Sequence, residues 1–266
     1  MTYFKQVLST VKTQSPILYS IVILHLVTAI VCIIGLCVDD RTLMGINIWI
    51  KPLKFAISIG VYMLTQGFLI TLYPFSQRKR NIINTITSFT LLIEMAIIFY
   101  QASRGVQSHY NQSSLIDGLL FAGMGIMIGI NVFIMVVFII ETIRLKLNTT
   151  KAIQWGILLG WIIVVLGSWI GGEMITQLSH NVGVPDGGDG LPLVNWSTVG
   201  GDLRIAHFFG LHAIQIIPLF AFILSKKWKT SDKNQIIAVT IFALVFASLI
   251  AFVFYQAKQG IPLISL

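Results

Sequence analysis

Five histidines, His25, His109, His180, His207 and His212, stand with Glu94 and Glu173 in a chain that is otherwise mostly apolar. An imidazole can ligate haem iron or a metal ion and can exchange protons near neutral pH. A carboxylate inside an apolar run is expensive in hydrocarbon unless it is paired, protonated or set in a polar cavity. The densest stretch is GGDLRIAHFFGLHAIQIIPLF, residues 200–220, which carries Asp202, Arg204, His207, His212 and Gln215 into apolar sequence. If a straight helix begins at Leu203, His207 lies ~6 Å in, His212 ~14 Å and Gln215 ~18 Å. His207 and His212 then point about 140° apart, which makes them a poor pair for one metal.

His25 lies ~12 Å from the other end of its own apolar run, within a few ångströms of the level of His212. Two histidines at equal depth on facing helices are what a b-type haem needs. His25 and His212 are therefore the candidate haem ligands. The other pocket candidates are Lys51, Lys54, Glu94, Gln101, Arg104, His109, Asn195, Asp202, Arg204, His207 and Gln215. Glu94 also has a structural reading, as half of a buried pair with Lys54 or Arg104. Asp202 has one as a helix cap, with Arg204 snorkelling to the headgroups. Cys32 and Cys37 form no Cys-x-x-Cys and suggest neither a disulfide nor a metal. No His-x-x-x-His offers the local scaffold of a hydrolytic metal site.

The elements that must position these residues are membrane helices. Of the 266 residues, 56% are hydrophobic and only 11% charged, too little charge to cover a soluble domain of this length. Seven apolar runs, roughly 17–37, 52–73, 84–101, 117–141, 153–171, 203–224 and 234–256, are each about long enough to cross ~30 Å of hydrocarbon. The expected fold is all-α: a polytopic transmembrane bundle of about seven spans forming a single integral membrane domain over 1–266. The net charge of +8 falls in short loops rather than on a nucleic-acid face. Twelve of the 18 basic residues share one side of an alternating seven-span chain. The positive-inside rule then predicts a cytoplasmic N-terminus and an external C-terminus.

The external loops hold most of the polar residues. The longest, 172–202, centres on GVPDGGDGLP, whose two aspartates lack the spacing of a calcium loop. The 38–51 loop contains a short amphipathic piece around Ile46, Ile48 and Trp49. The inner half of the bundle reads as almost purely apolar, which favours an outward-facing polar site over a polar route right through. GMGIMIGI and GILLGW read as small-residue packing faces.

IWIKPLKFAIS, QASRGVQSHYN and DGGDGLPLVNWSTVGGDLRIAHFFGLHAIQIIPL resemble segments of uncharacterised bacterial multi-pass inner-membrane proteins. The resemblance spans the second to the sixth run. It implies a bacterial cytoplasmic membrane but carries no activity. The first functional expectation is b-haem or quinone-linked electron transfer. A small-solute permease or ligand-binding sensor is the alternative, and a metal-dependent membrane hydrolase a further one. The expected partners are the lipid bilayer and a quinone or small polar ligand.

Overall fold

The computed structural model describes residues 3–188 and 190–265. Nine helices account for most of the described residues. In order they are α1 (Tyr3–Gln14), α2 (Pro16–Val38), α3 (Ile50–Leu69), α4 (Gln77–Ser103), α5 (Leu115–Arg144), α6 (Lys151–Thr176), α7 (Leu203–Leu211), α8 (Ala213–Lys227) and α9 (Asp232–Lys258). Two antiparallel ladders of two residues a side interrupt them: β1 (Thr42–Leu43) with β2 (Ile46–Asn47), and β3 (Asn181–Val182) with β4 (Gly201–Asp202). Six helices are long and apolar enough to span a membrane, and α7 with α8 makes a seventh span bent by 45°. The chain is a multi-pass, all-α membrane protein. Of the central loop aspartates, Asp189 lies outside the described residues.

Contacts divide the chain into two compact units, with the boundary inside α5 between Ile134 and Met135. In the first unit α2, α3 and α4 share a core of Leu18, Val22, Ala29, Ala56, Ile59, Met63, Leu91 and Met95. Lipid is as apolar as these side chains, so close packing and buried polar contacts hold such helices together, not the hydrophobic effect. The outward faces are accordingly greasy: Leu26, Ile30 and Ile34 of α2 are all exposed.

The two ends of this unit are fastened differently. At one end Ser15 Oγ donates to the Gly67 carbonyl at 3.0 Å, and Arg80 donates to Gln14 Oε1 at 2.8 Å. At the other end Arg41 donates to the Ser103 carbonyl at 3.0 Å. There the sequence suggested an amphipathic piece, but the chain makes a hairpin. Met44 and Gly45 both take positive φ, 53° and 82°, as a two-residue turn between right-twisted strands requires. Trp49 then packs on Phe99 and donates its indole N–H to Asp39 at 3.0 Å. Asp39 is held below the usual carboxylate range by hydrogen bonds from Arg41 and from Trp49.

In the second unit small residues set the crossings. A Cβ on Gly156 would lie 2.9 Å from Ala221, and one on Gly160 would lie 3.2 Å from Ile214, so GILLGW is a packing face. GMGIMIGI is not: a Cβ on Gly123, Gly125 or Gly129 would meet nothing within 4 Å. Phe138 stacks on Trp161 with ring centres 4.9 Å apart, both fully buried. The sixth apolar run is not straight. Gly210 lets α7 touch α6 at Gly167, and Pro218 cannot donate the helical bond to Ile214, which weakens the first turn of α8. His212 sits at the break.

Candidate functional site

The first unit gathers the polar residues that lie furthest from each other in sequence. Glu94 is 2% exposed on α4, and its Oε1 lies 3.7 Å from His109 Nε2 in the α4–α5 loop. Lys51, in the first turn of α3, acts on Glu94 with its positive charge. Lys54 is half-buried one turn further along the same helix. The His109 ring is fixed by Ser108 Oγ at 3.0 Å from Nδ1 and by Phe55, Tyr110 and Phe121 around it. Phe121 also lines a shallow groove of about 470 Å³ along the start of α5, with Gln112, Ser114, Leu115 and Gly118.

Arg104 does not pair with Glu94. Its guanidinium donates to Asp117 Oδ1 at 2.6 Å and to Gln101 Oε1 at 2.6 Å, and Gln101 itself donates to Asp117 at 2.8 Å. The hydrogen bond to Asp117 raises the Arg104 pKa further. Asp117 escaped the sequence reading, although Ser114-x-x-Asp117 is a capping box. The Asp117 backbone N–H donates to Ser114 Oγ at 3.1 Å, and Ser114 Oγ donates to Asp117 Oδ2 at 2.7 Å.

Below this cluster the structure departs from the expectation of an apolar inner half. The buried side of α4 carries Asn84, Thr87, Ser88, Thr90, Glu94 and Gln101. Gln66 of α3 donates to Thr87 Oγ1 at 2.9 Å, and Asn131 of α5 donates to Thr90 Oγ1 at 2.6 Å. Several polar atoms along this file are buried with no hydrogen-bond partner: Gln66 Oε1, Asn84 Oδ1, Ser88 Oγ, Glu94 Oε2 and Asn131 Oδ1, with the Tyr62 hydroxyl on α3. The signal in the sequence was the recurrence of Asn, Thr, Ser and Glu at three- and four-residue spacing, within a run whose average hydropathy conceals it.

The candidate haem ligands belong to different units. His25 is 1% exposed, and its Nδ1 is 2.8 Å from the Ile21 carbonyl. It packs towards α3 at Gly60, where a Cβ would come within 3.7 Å of the His25 Cβ. His212 packs at a tilt against Phe208 with ring centres 4.4 Å apart and bonds Gln215. The depth assigned to His212 and Gln215 presumed a straight helix, and the 45° break removes that premise.

The remaining candidates of the second unit hold its loop together. Asp202, 1% exposed, caps α7 by accepting from Arg204 N at 2.9 Å. It also accepts from Ser197 N at 2.9 Å and from Arg204 Nη2 at 2.6 Å. Arg204 does not snorkel outward; its other contact is with the Asn195 carbonyl. His207 Nδ1 is 2.8 Å from the Gly167 carbonyl. His180 Nδ1 is 2.6 Å from Asp186 Oδ2. Burial works to raise the Asp186 pKa, but hydrogen bonds from the His180 ring and backbone, the His180 charge and Ser179 outweigh it and hold the group below its usual value.

Among the described residues no three His, Cys, Asp or Glu side chains converge as metal ligands. Cys32 and Cys37 are both free thiols. No family model, curated protein or solved structure matches this chain.

Proposed function

We propose that this protein is a membrane permease that passes a small polar species along α4 of its first unit, in the cytoplasmic membrane of a bacterium. The observation that carries this reading is the file from Asn84 to Gln101. The seventeen helical rises from Asn84 to Gln101 cover ~26 Å, most of the hydrocarbon thickness. A buried polar atom without a partner costs about 1–3 kcal/mol, and folded proteins tolerate few. Several along one helix make sense where water or cargo completes their hydrogen bonds. Haem and metal-hydrolase readings have no support of this kind.

Cysteine accessibility tests it. Ser88→Cys, Thr90→Cys and Asn84→Cys would be made in a Cys32→Ala, Cys37→Ala background and treated with a membrane-impermeant trimethylammonium thiosulfonate. All three positions should react, whereas Phe89→Cys, on the exposed side of α4, should not. Unreactive positions 84–90 beside a reactive Ser103→Cys would sink the permease.

A further inference from the structure

We propose that Glu94 and His109 are the proton site of this route, so that flux through it carries or is coupled to protons. The proposal rests on the permease reading and names what moves.

The geometry has a direction. His109 is 20% exposed at its side chain and Glu94 3%, so a proton from the medium meets the imidazole first and the carboxylate second. Ser108 holds Nδ1, which aims Nε2 at Glu94 Oε1. The second carboxylate oxygen, Oε2, is buried and without a partner. Thr90 lies one helical turn away along the file, bridged to Asn131 of α5. The carboxylate thus has one oxygen towards the half-buried histidine and the other enclosed in the protein.

The transfer balances. The imidazolium Nε2–H bond breaks and an O–H bond forms on Glu94, turning an ion pair into two neutral groups with no change of total charge. The separation of 3.7 Å closes by a small side-chain movement or is bridged by one water. A neutral carboxylic acid is far less costly than a carboxylate inside hydrocarbon, so protonation permits Glu94 to face the file. Release of that proton to a water molecule in the file regenerates the carboxylate, and His109 takes its next proton from the medium.

Lys51 acts on Glu94 from α3 with its positive charge, and Lys54 is half-buried one turn further along that helix. The loop supplies His109 and Tyr110, and α2 supplies His25 on its buried face. Tyr62 is the further titratable group on α3. On α5 Asp117 is neutralised by Arg104, and in the α2–α3 hairpin Asp39 is paired with Arg41 while Asp40 is exposed to the medium. Glu94 is the buried carboxylate of this end that faces a histidine, among the described residues.

Proton uptake into proteoliposomes with a trapped pH-sensitive dye, driven by a potassium–valinomycin potential, tests the proposal. Wild-type protein should acidify the lumen well above empty liposomes. Glu94→Gln should reduce the rate at least tenfold, and Glu94→Asp should restore part of it. His109→Gln should slow uptake and move its pH profile. As a measurement free of any folding effect of substitution, dicyclohexylcarbodiimide should block uptake by wild-type protein and attach to Glu94. No proton flux in a protein whose Ser88→Cys is still labelled would overturn the proton site and leave the permease standing. Loss of both would remove the two together.

Discussion

Arg104 and Asp117 meet at 2.6 Å across the turn between α4 and α5, with the carboxylate buried and the guanidinium at the rim. Side-chain exposures of 35% and 3% make the pair unequal. Arg104→Gln strands a buried carboxylate with the neutral donors Gln101, Ser113 and Ser114 to solvate it. Asp117→Asn leaves a guanidinium that can turn to the medium. The arginine substitution should therefore lower the melting temperature in detergent more than the aspartate substitution, and the double variant should recover part of the loss. Equal losses from the two single variants would contradict this asymmetry.

The approximate number and places of the spans were legible because each is a long apolar run, and length alone separates such a run from a soluble helix. The site was legible only in part. Glu94, Lys51 and His109 were recognisable as chemically awkward residues, but Lys51 and Glu94 lie on different helices and His109 on a loop. Which cation faced the carboxylate depended on how the 104–114 loop folds back, and no periodicity reports that. The Gln66–Thr87 and Asn131–Thr90 bonds join helices whose facing angles the sequence does not specify. The break at His212 was hidden for a different reason: it arises where Gly210 meets Gly167 of another helix. The two-residue ladders are too short to leave an alternating pattern at all.

The Gly167–Gly210 crossing gives a second prediction. A Cβ on Gly210 would sit 2.6 Å from the Gly167 Cα, backbone that has no rotamer by which to yield. Gly210→Ala should force α6 and α7 apart and cost about 1–3 kcal/mol. It should also lengthen the His207 bond to the Gly167 carbonyl, read as a shift of the His207 ring signals in NMR. Gly172→Ala, where a Cβ would meet nothing within 4 Å, is the control and should be near neutral.

Asp186 links stability to pH. Its carboxylate accepts from the backbone of His180 and Asn181 and from Ser179 Oγ, which ties the start of the 177–200 loop. The folded-state pKa lies below the usual 3.8, so the folded protein binds this proton less readily than the unfolded chain. The stabilisation is present above about pH 4 and is lost as pH falls further. At neutral pH Asp186→Asn should cost about 1–2 kcal/mol. The melting-temperature gap between wild type and Asp186→Asn should narrow as pH falls below 4. A gap that widens below pH 4 would reverse the sign of the linkage.

The last prediction concerns α1, which precedes the first apolar run. Val11 is its one buried residue and is fully enclosed, in contact with α3 at Gly67, where a Cβ would lie 2.9 Å from the Val11 side chain. Ser15 bonds the same glycine carbonyl, and Gln14 is bonded by Arg80 of α4. One apolar side chain and two hydrogen bonds thus hold this helix beside Gln66, the residue that begins the polar file on α3. Gly67→Leu should expel Val11 and release α1; its Cβ also comes within 3.3 Å of Leu18 of α2, so the melting temperature of the variant is measured alongside. Spin labels at Leu8→Cys and Arg78→Cys, in the cysteine-free background, should show a single distance in the parent protein and a broad distribution in Gly67→Leu. Labelling of Asn84→Cys from the α1 side should rise at least several-fold in the same variant if α1 shields that end of the file. An unchanged distance would show that the Ser15 and Gln14 bonds suffice to dock the helix, and an unchanged labelling rate with a released α1 would show that it covers nothing.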